Sequence, residues 1–231
     1  GAAVLSGNLP DIMEVDAPFV SNYAWSGILR PLGDLIDQAL LDDMTPSNVA
    51  QGTYPIDDQL YAIGLVDSSV LLYGNRRFLE EAGIRIPTGL DDAWSREEFE
   101  DALQTLSGID GVQWPIDLFR SYGSRSEWLT YAYSPILQSF GCDLIDRETW
   151  EASGTLDSEP CVEAAAMMQD WFQKGWVVPQ SAGGNQFYAE GGKVGLAWGG
   201  HWFWQEASTQ LGDDLVIMPL PRFGEKAVSP N

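Results

Sequence analysis

A single histidine, His201, stands in the whole chain, and lysine occurs only at Lys174, Lys193 and Lys226. The first scarcity narrows nucleophilic catalysis. A Ser-His-Asp or Cys-His arrangement would have to use His201, yet no G-x-S-x-G elbow is present and neither cysteine sits in a context that would activate it. The second scarcity sets the charge. Twelve Lys+Arg against 34 Asp+Glu leave a formal net charge of −22, which repels a nucleic-acid backbone and an anionic membrane surface alike. Acidity of this degree suits an exported protein, although salt-adapted cytoplasmic proteins share it. A P-loop, a dinucleotide fingerprint, a zinc-ligand spacing and a D-x-D-x-D-G calcium loop are also missing. No apolar run reaches the roughly 18 to 20 residues that cross a bilayer, and Gly1 opens no basic stretch leading into an apolar core. The chain therefore reads as soluble, with any targeting peptide outside it.

Two cysteines cannot complete a metal site. Cys142 and Cys161 bracket 18 polar, turn-rich residues. They suit one disulfide, worth roughly 3 kcal/mol in the chain-entropy picture, because "GCDLID" and the helix start "DSEPCVEAA" can lie side by side. Two buried thiols are the other reading.

Aromatic residues are plentiful: ten Trp, eight Tyr and nine Phe in 231 residues that are 45% hydrophobic. A pyranose ring shows C–H groups on its faces and hydroxyls around its edge. Its natural host is an aromatic plate flanked by carboxylates, amides and arginines. "HWFWQ", "FRSYGSRSEW" and "VDSS" each supply such a mixture. Trp114, Trp150, Trp171 and Trp176 read as packing in cores or at helix ends. Trp202 differs, because it follows a strand and two glycines at a helix start, where ligand sites gather. His201 reads as a hydrogen-bonded structural residue. Arg120 and Arg125 have surface charge as their plain alternative, and Asp67 has turn formation. A carboxylate pair for glycoside cleavage stays open, since 34 acids make one easy to assemble.

Periodicity gives alternating strands and helices. The opening "GAAVLSGN" reads as the end of a helix closed at Gly7 and Asn8. Residues 10–17 read as a strand, 18–29 as a helix, and 60–75 as two β-rich runs broken at Asp67, Ser68 and Ser69. Residues 75–84 read as a short helix. Ser95 and Glu98 form a capping box for the next helix, whose apolar face is Phe99, Ala102, Leu103 and Leu106. Residues 126–141 predict a helix interrupted near Pro135, and 159–175 another. Residues 193–198 and 215–221 predict strands, separated by a helix over 204–210. This alternation predicts a parallel or mixed sheet covered on both faces, with ligand sites at strand carboxyl ends and helix starts.

Five blocks taken in order, "SGNLPDIMEVDAPFVSNYAWSGILRPLGDLID", "LYAIGLVDSSVLLYGNRRFLEEAGI", "AWSREEFEDALQTL", "FYAEGGKVGLAWGGHW" and "VIMPLPRFGEKAVSPN", resemble the extracellular solute-binding proteins of ABC sugar importers. That group includes maltose- and other oligosaccharide-binding proteins. The resemblance implies a two-lobed α/β fold of the type II periplasmic-binding class, with three-layer αβα lobes joined by a hinge. It implies a chain incomplete at both ends, since the family has further strands and helices before "SGNLPDI" and after "SPN". Residues 1–66 would be part of the first lobe, 68–217 the second lobe, and 218–231 a hinge crossing that returns to the first. Exposed sheet edges would then favour self-association, strand exchange included.

For the site, the resemblance places Trp202 on the family's stacking tryptophan and Tyr131 near an aromatic that stacks from the second lobe. Asp67 falls where a hinge-strand residue faces sugar hydroxyls, and Asp16 falls in the first-lobe ligand loop. Arg120 is a further candidate for hydroxyl contact. In that loop "VDAPF" departs from the maltose-type pattern of an aromatic and a charged pair. The implied function is non-enzymatic: sugar binding, lobe closure and delivery to a membrane permease, with no cofactor and no nucleic acid, in an extracytoplasmic, lipid-anchored protein. Two alternatives are a glycoside hydrolase-type enzyme and a binding protein for a polyol or glycerophosphodiester.

Overall fold

In the computed structural model, which describes residues 2–229, the chain divides after Asp67 into two units. The first is built from short, capped helices. After α1 (Ala2–Ser6) and α2 (Ala17–Trp25) come α3 (Gln38–Asp43) and α4 (Pro46–Gly52). Asp37 accepts from Ala39 N at 3.0 Å and Thr45 from Asn48 N at 3.4 Å, satisfying N–H groups that the first helical turn leaves open. Gly27, with φ +70°, turns the chain out of α2 after Trp25, so this helix is shorter than its apolar pattern predicts. The strand expected over residues 10–17 does not form. A strand needs a neighbour to take its backbone N–H and C=O groups, and the strands described in this unit are the two-residue β1 (Thr53–Tyr54) and β2 (Gln59–Leu60), which pair with each other. The buried core here is small, Val20, Ala24 and Tyr61, while Ile12 is 90% and Trp25 75% exposed.

The second unit is organised by a mixed sheet. Its strands are β3 (Val70–Asn75), β4 (Trp114–Asp117), β5 (Val194–Gly200) and β6 (Leu215–Met218), in the order β4-β5-β3-β6. The β4–β5 pair is parallel; β3 is antiparallel to both β5 and β6. All seven residues of β5 are buried, as a strand covered on both faces must be. Around the sheet lie α5 (Arg76–Glu81), α6 (Arg96–Leu106), α7 (Trp128–Ser139), α8 (Glu159–Gln173) and α9 (Trp204–Leu211). The capping box that opens α6 is present: Ser95 Oγ accepts from Glu98 N at 3.3 Å while Glu98 accepts from Ser95 N at 2.9 Å. The four apolar residues read from its sequence are all buried. Trp171 is fully buried against Phe99 and Phe223, at centroid distances of 5.3 and 5.6 Å. Trp150, expected to pack inside, is instead 47% exposed, in a turn where its φ is +62°.

Pro135 does not interrupt α7, contrary to the sequence pattern. Proline removes the N–H that would reach back to Tyr131 O. That carbonyl accepts from Ser134 Oγ at 3.5 Å, and the adjoining carbonyl of Ala132 accepts from Trp198 Nε1 at 2.8 Å. With donors supplied from the side, the helix continues to Ser139. The residues after β6 stay in this unit: Phe223 N and Gly224 N donate to Ser139 Oγ at 2.9 and 3.2 Å, and Ser229 Oγ donates to Val70 O at 2.8 Å.

Cys142, just beyond α7, is bonded to Cys161 in the first turns of α8, with Cα atoms 5.6 Å apart. The bridge closes a loop between two helices. Replacing both cysteines by serine is expected to destabilise the second unit by roughly 3 kcal/mol, read as a lower midpoint in urea unfolding under non-reducing conditions; an unchanged midpoint would show that the bridge adds nothing.

Candidate functional site

The site is assembled where β4 and β5 end. After Trp198 the chain must turn from the sheet into α9, and two glycines make room for it. A Cβ on Gly199 would stand 3.0 Å from the Phe119 ring and 3.4 Å from Phe203, while one on Gly200 would stand 2.2 Å from Trp202 Cη2. The indole of Trp202 thus lies flat against bare backbone, and only glycine permits that approach. His201 N donates to Ser69 O at 2.9 Å, tying the turn to the residue before β3.

Opposite it, β4 ends at Asp117, which is 2% exposed. Its Oδ1 accepts from Phe119 N at 2.8 Å, holding Phe119 in the left-handed region at φ +52°. The carbonyl of Leu118 in this turn accepts from both Trp128 Nε1 and Tyr133 Oη at 2.9 Å. The turn is therefore fastened to α7 and delivers its rings to the Trp202 side. Phe119 packs edge-on against Trp128 and Phe203, at 6.0 and 5.0 Å. Trp128 in turn meets Trp202 edge-on at 5.9 Å, and Tyr131 lies 6.2 Å from Trp202 with ring planes 33° apart. Trp202 Nε1 donates to Tyr122 Oη at 3.4 Å.

Trp202 remains 47% exposed, so a large apolar plate faces solvent while its edges are held. Two open recesses adjoin it. One, of about 140 Å³, is lined by Tyr122, Ser126, Glu127, Trp128, Tyr131 and Trp202. The other, of about 370 Å³, is lined by Trp202, Gln205, Glu206 and Thr209. The carboxylate of Glu206 is within hydrogen-bonding reach of the Tyr188 hydroxyl, which is pushed up to about 12, by burial first and then by Glu206. Asn185 Nδ2 donates to that same hydroxyl.

Of the residues singled out in the sequence, Trp202 and Tyr131 are brought together. Arg120 turns elsewhere: its guanidinium lies over the Phe172 ring of α8, 4.9 Å from the centroid, a cation–π contact. Asp67 and Asp16 belong to the first unit. Asp67 accepts from Ser47 Oγ at 3.1 Å, and Asp16 is exposed at the start of α2. The sequence reading did not single out Tyr122, Trp128, Tyr188 or Glu206. Tyr122 and Trp128 stand in the quoted "FRSYGSRSEW" stretch, and Glu206 stands four residues after Trp202, the spacing of one helical turn. Among the described residues no cluster of His, Cys, Asp and Glu is placed to hold a metal ion, and no helix is long and apolar enough to cross a membrane.

Two outcomes are expected. Gly200→Ala displaces the Trp202 ring, changing the near-ultraviolet circular dichroism while the far-ultraviolet spectrum holds; an unchanged near-ultraviolet signal would contradict the packing described. The second concerns Asp117, whose carboxyl burial pushes up to about 6 against the opposing pull of the Phe119 N–H. Because the folded value lies above the unfolded one, the folded state keeps a proton between about pH 4 and 6 that the unfolded chain has lost. Stability from this group is greatest at the acid end and falls as pH rises through that window. Asp117→Asn keeps an acceptor for Phe119 N and should stabilise the fold at pH 7 by about 1 to 3 kcal/mol, with no gain below about pH 4. Urea unfolding of both proteins at the two pH values measures this.

Comparison with known proteins follows the same direction. The sequence profile of a family described as "Bacterial extracellular solute-binding protein" matches residues 2–228. No curated protein sequence matches significantly. Among solved structures, the GacH receptor of Streptomyces glaucescens, determined unliganded and with acarbose, superposes with a TM-score of 0.77 at 24% identity, covering 99% of this chain and 56% of that one. The cyclic α-maltosyl-1,6-maltose binding protein of Arthrobacter globiformis gives 0.76 at 22% identity, covering 99% and 56%. UgpB of Mycobacterium tuberculosis, solved with glycerophosphocholine, gives 0.75 at 21%, covering 98% and 56%. The fold is thus the α/β type II periplasmic-binding class, and the chain spans little more than half the length of the structures it matches.

Proposed function

We propose, because the chain belongs to the bacterial extracellular solute-binding protein family, that it captures a sugar or oligosaccharide outside the cytoplasm and delivers it to the membrane permease of an ABC importer. Members of the family are substrate-binding proteins and not enzymes. The observation that carries the sugar reading is the half-exposed indole of Trp202, held at its edges by Tyr122 and Trp128 and bordered by hydrogen-bonding side chains. A pyranose face stacks on such a plate while its hydroxyls meet the polar rim.

The mechanism is ligand-stabilised closure of two lobes: the solute binds the closed state better and so raises its population. Trp202 and Tyr131 provide the aromatic surface. Hydroxyl contacts from the first lobe are assigned to Asp16 and Asp67. Arg120 could join them only by leaving Phe172. Anchoring by lipid belongs to this proposal as well. A glycerophosphodiester is the weaker alternative, because the charged side chains lining the two described recesses are Glu127 and Glu206, which repel a phosphate.

The test is a tryptophan fluorescence titration with glucose, maltose, maltotriose and acarbose, followed by analysis of the recovered sugar. A saturable response with intact sugar supports the reading, and hydrolysed sugar rejects it in favour of an enzyme. Trp202→Ala should weaken binding at least tenfold, about 1.4 kcal/mol; unchanged affinity would remove Trp202 from the site.

A further inference from the structure

We infer that Glu206 is a specificity-determining residue: its carboxylate, oriented by Tyr188, accepts hydrogen bonds from adjacent hydroxyls of a second sugar ring, one helical turn beyond the Trp202 plate. The inference rests on the sugar-binding reading above and adds to it a minimum ligand length.

Trp202, Gln205, Glu206 and Thr209 recur at intervals of +3, +4 and +7, so they share one face of the turn and of α9. Together they line the larger recess beside the indole, about 370 Å³ in volume. A row of polar side chains on an exposed helix is ordinarily no more than a solvated face. Two features separate this one. One end is the large apolar surface of Trp202, which is 47% exposed. The other is the restraint on Glu206. Tyr188 is 5% exposed, and its hydroxyl oxygen already accepts from Asn185 Nδ2. Its proton is therefore free to point to the Glu206 carboxylate, which lies within its reach.

An ionised carboxylate offers about four acceptor sites. Tyr188 takes one, and the rest serve the recess that Glu206 lines. A carboxylate held before the ligand arrives loses less conformational freedom on binding than a loose one, and its two oxygens match a pair of neighbouring hydroxyls. The four-residue step from Trp202 to Glu206 advances about 6 Å along the helix, comparable to one ring of a glycan. The ring on the indole and the ring at Glu206 are then successive, which makes the ligand a disaccharide or longer.

The experiment compares the unmodified chain, Glu206→Gln and Trp202→Ala in fluorescence titrations with glucose, maltose, maltotriose and acarbose. Glu206→Gln should weaken maltose, maltotriose or acarbose at least tenfold and change glucose less than twofold, with the melting temperature unchanged. Tyr188→Phe should weaken the same ligands several-fold alone, yet add nothing in the Glu206→Gln background, because it acts only through that carboxylate. Normal binding by Glu206→Gln with loss in Trp202→Ala overturns the inference and leaves the sugar site standing. Equal losses for glucose and maltose overturn the second-ring assignment. Normal binding by both variants, or no response of the unmodified chain to any of the four sugars, rejects the inference and the sugar reading together.

Discussion

The close approach of aromatic rings to the bare backbone of Gly199 and Gly200 is the constraint around which the second unit is arranged. Any side chain at these positions would collide with Phe119, Phe203 or Trp202. With hydrogens in their place, the end of β5 becomes a floor on which rings from three separate stretches settle: Phe119 after β4, Trp128 and Tyr131 on α7, and Trp202 and Phe203 before α9. Packing on one side of this floor makes the core; on the other it leaves Trp202 held but uncovered. Stability and recognition are thus two faces of one arrangement, which explains the crowding of tryptophan around the glycine pair.

Buried polar groups fix the same region in orientation. Asp117 keeps Phe119 in a backbone region that a phenylalanine seldom occupies, and the Leu118 carbonyl collects two donors from α7. Removing any one of these would leave a buried group without its partner, which costs more than the bond itself contributes. Polar contacts here supply direction, and the aromatic contacts supply adhesion.

What the sequence could reveal was whatever depends on near neighbours. The capping box of α6, the buried run of β5 and the position of Trp202 after a glycine pair are local patterns, and each appears in the structure. Features set by distant partners were not legible. The expected strand over residues 10–17 has the right alternation but no pairing partner in its unit. Pro135 looks like a helix breaker until Trp198, far along the chain, supplies a donor to α7. The direction of Arg120 is decided by Phe172 on another helix, and the link from Asn185 through Tyr188 towards Glu206 spans β5. Single-residue chemistry suggested which side chains could meet a sugar; only the fold shows which of them are free to.

The bridge between Cys142 and Cys161 has one further consequence. The stretch it encloses contains a run of exposed residues from Arg147 to Gly154, Trp150 among them, and loops of this kind are where proteases cut. A single cut there would not release either side, because the sulfur atoms still join α7 to α8. The nicked protein would keep its mass on a non-reducing gel and separate into two pieces only after reduction. Damage at its most accessible loop would leave the aromatic site connected to the rest of the fold.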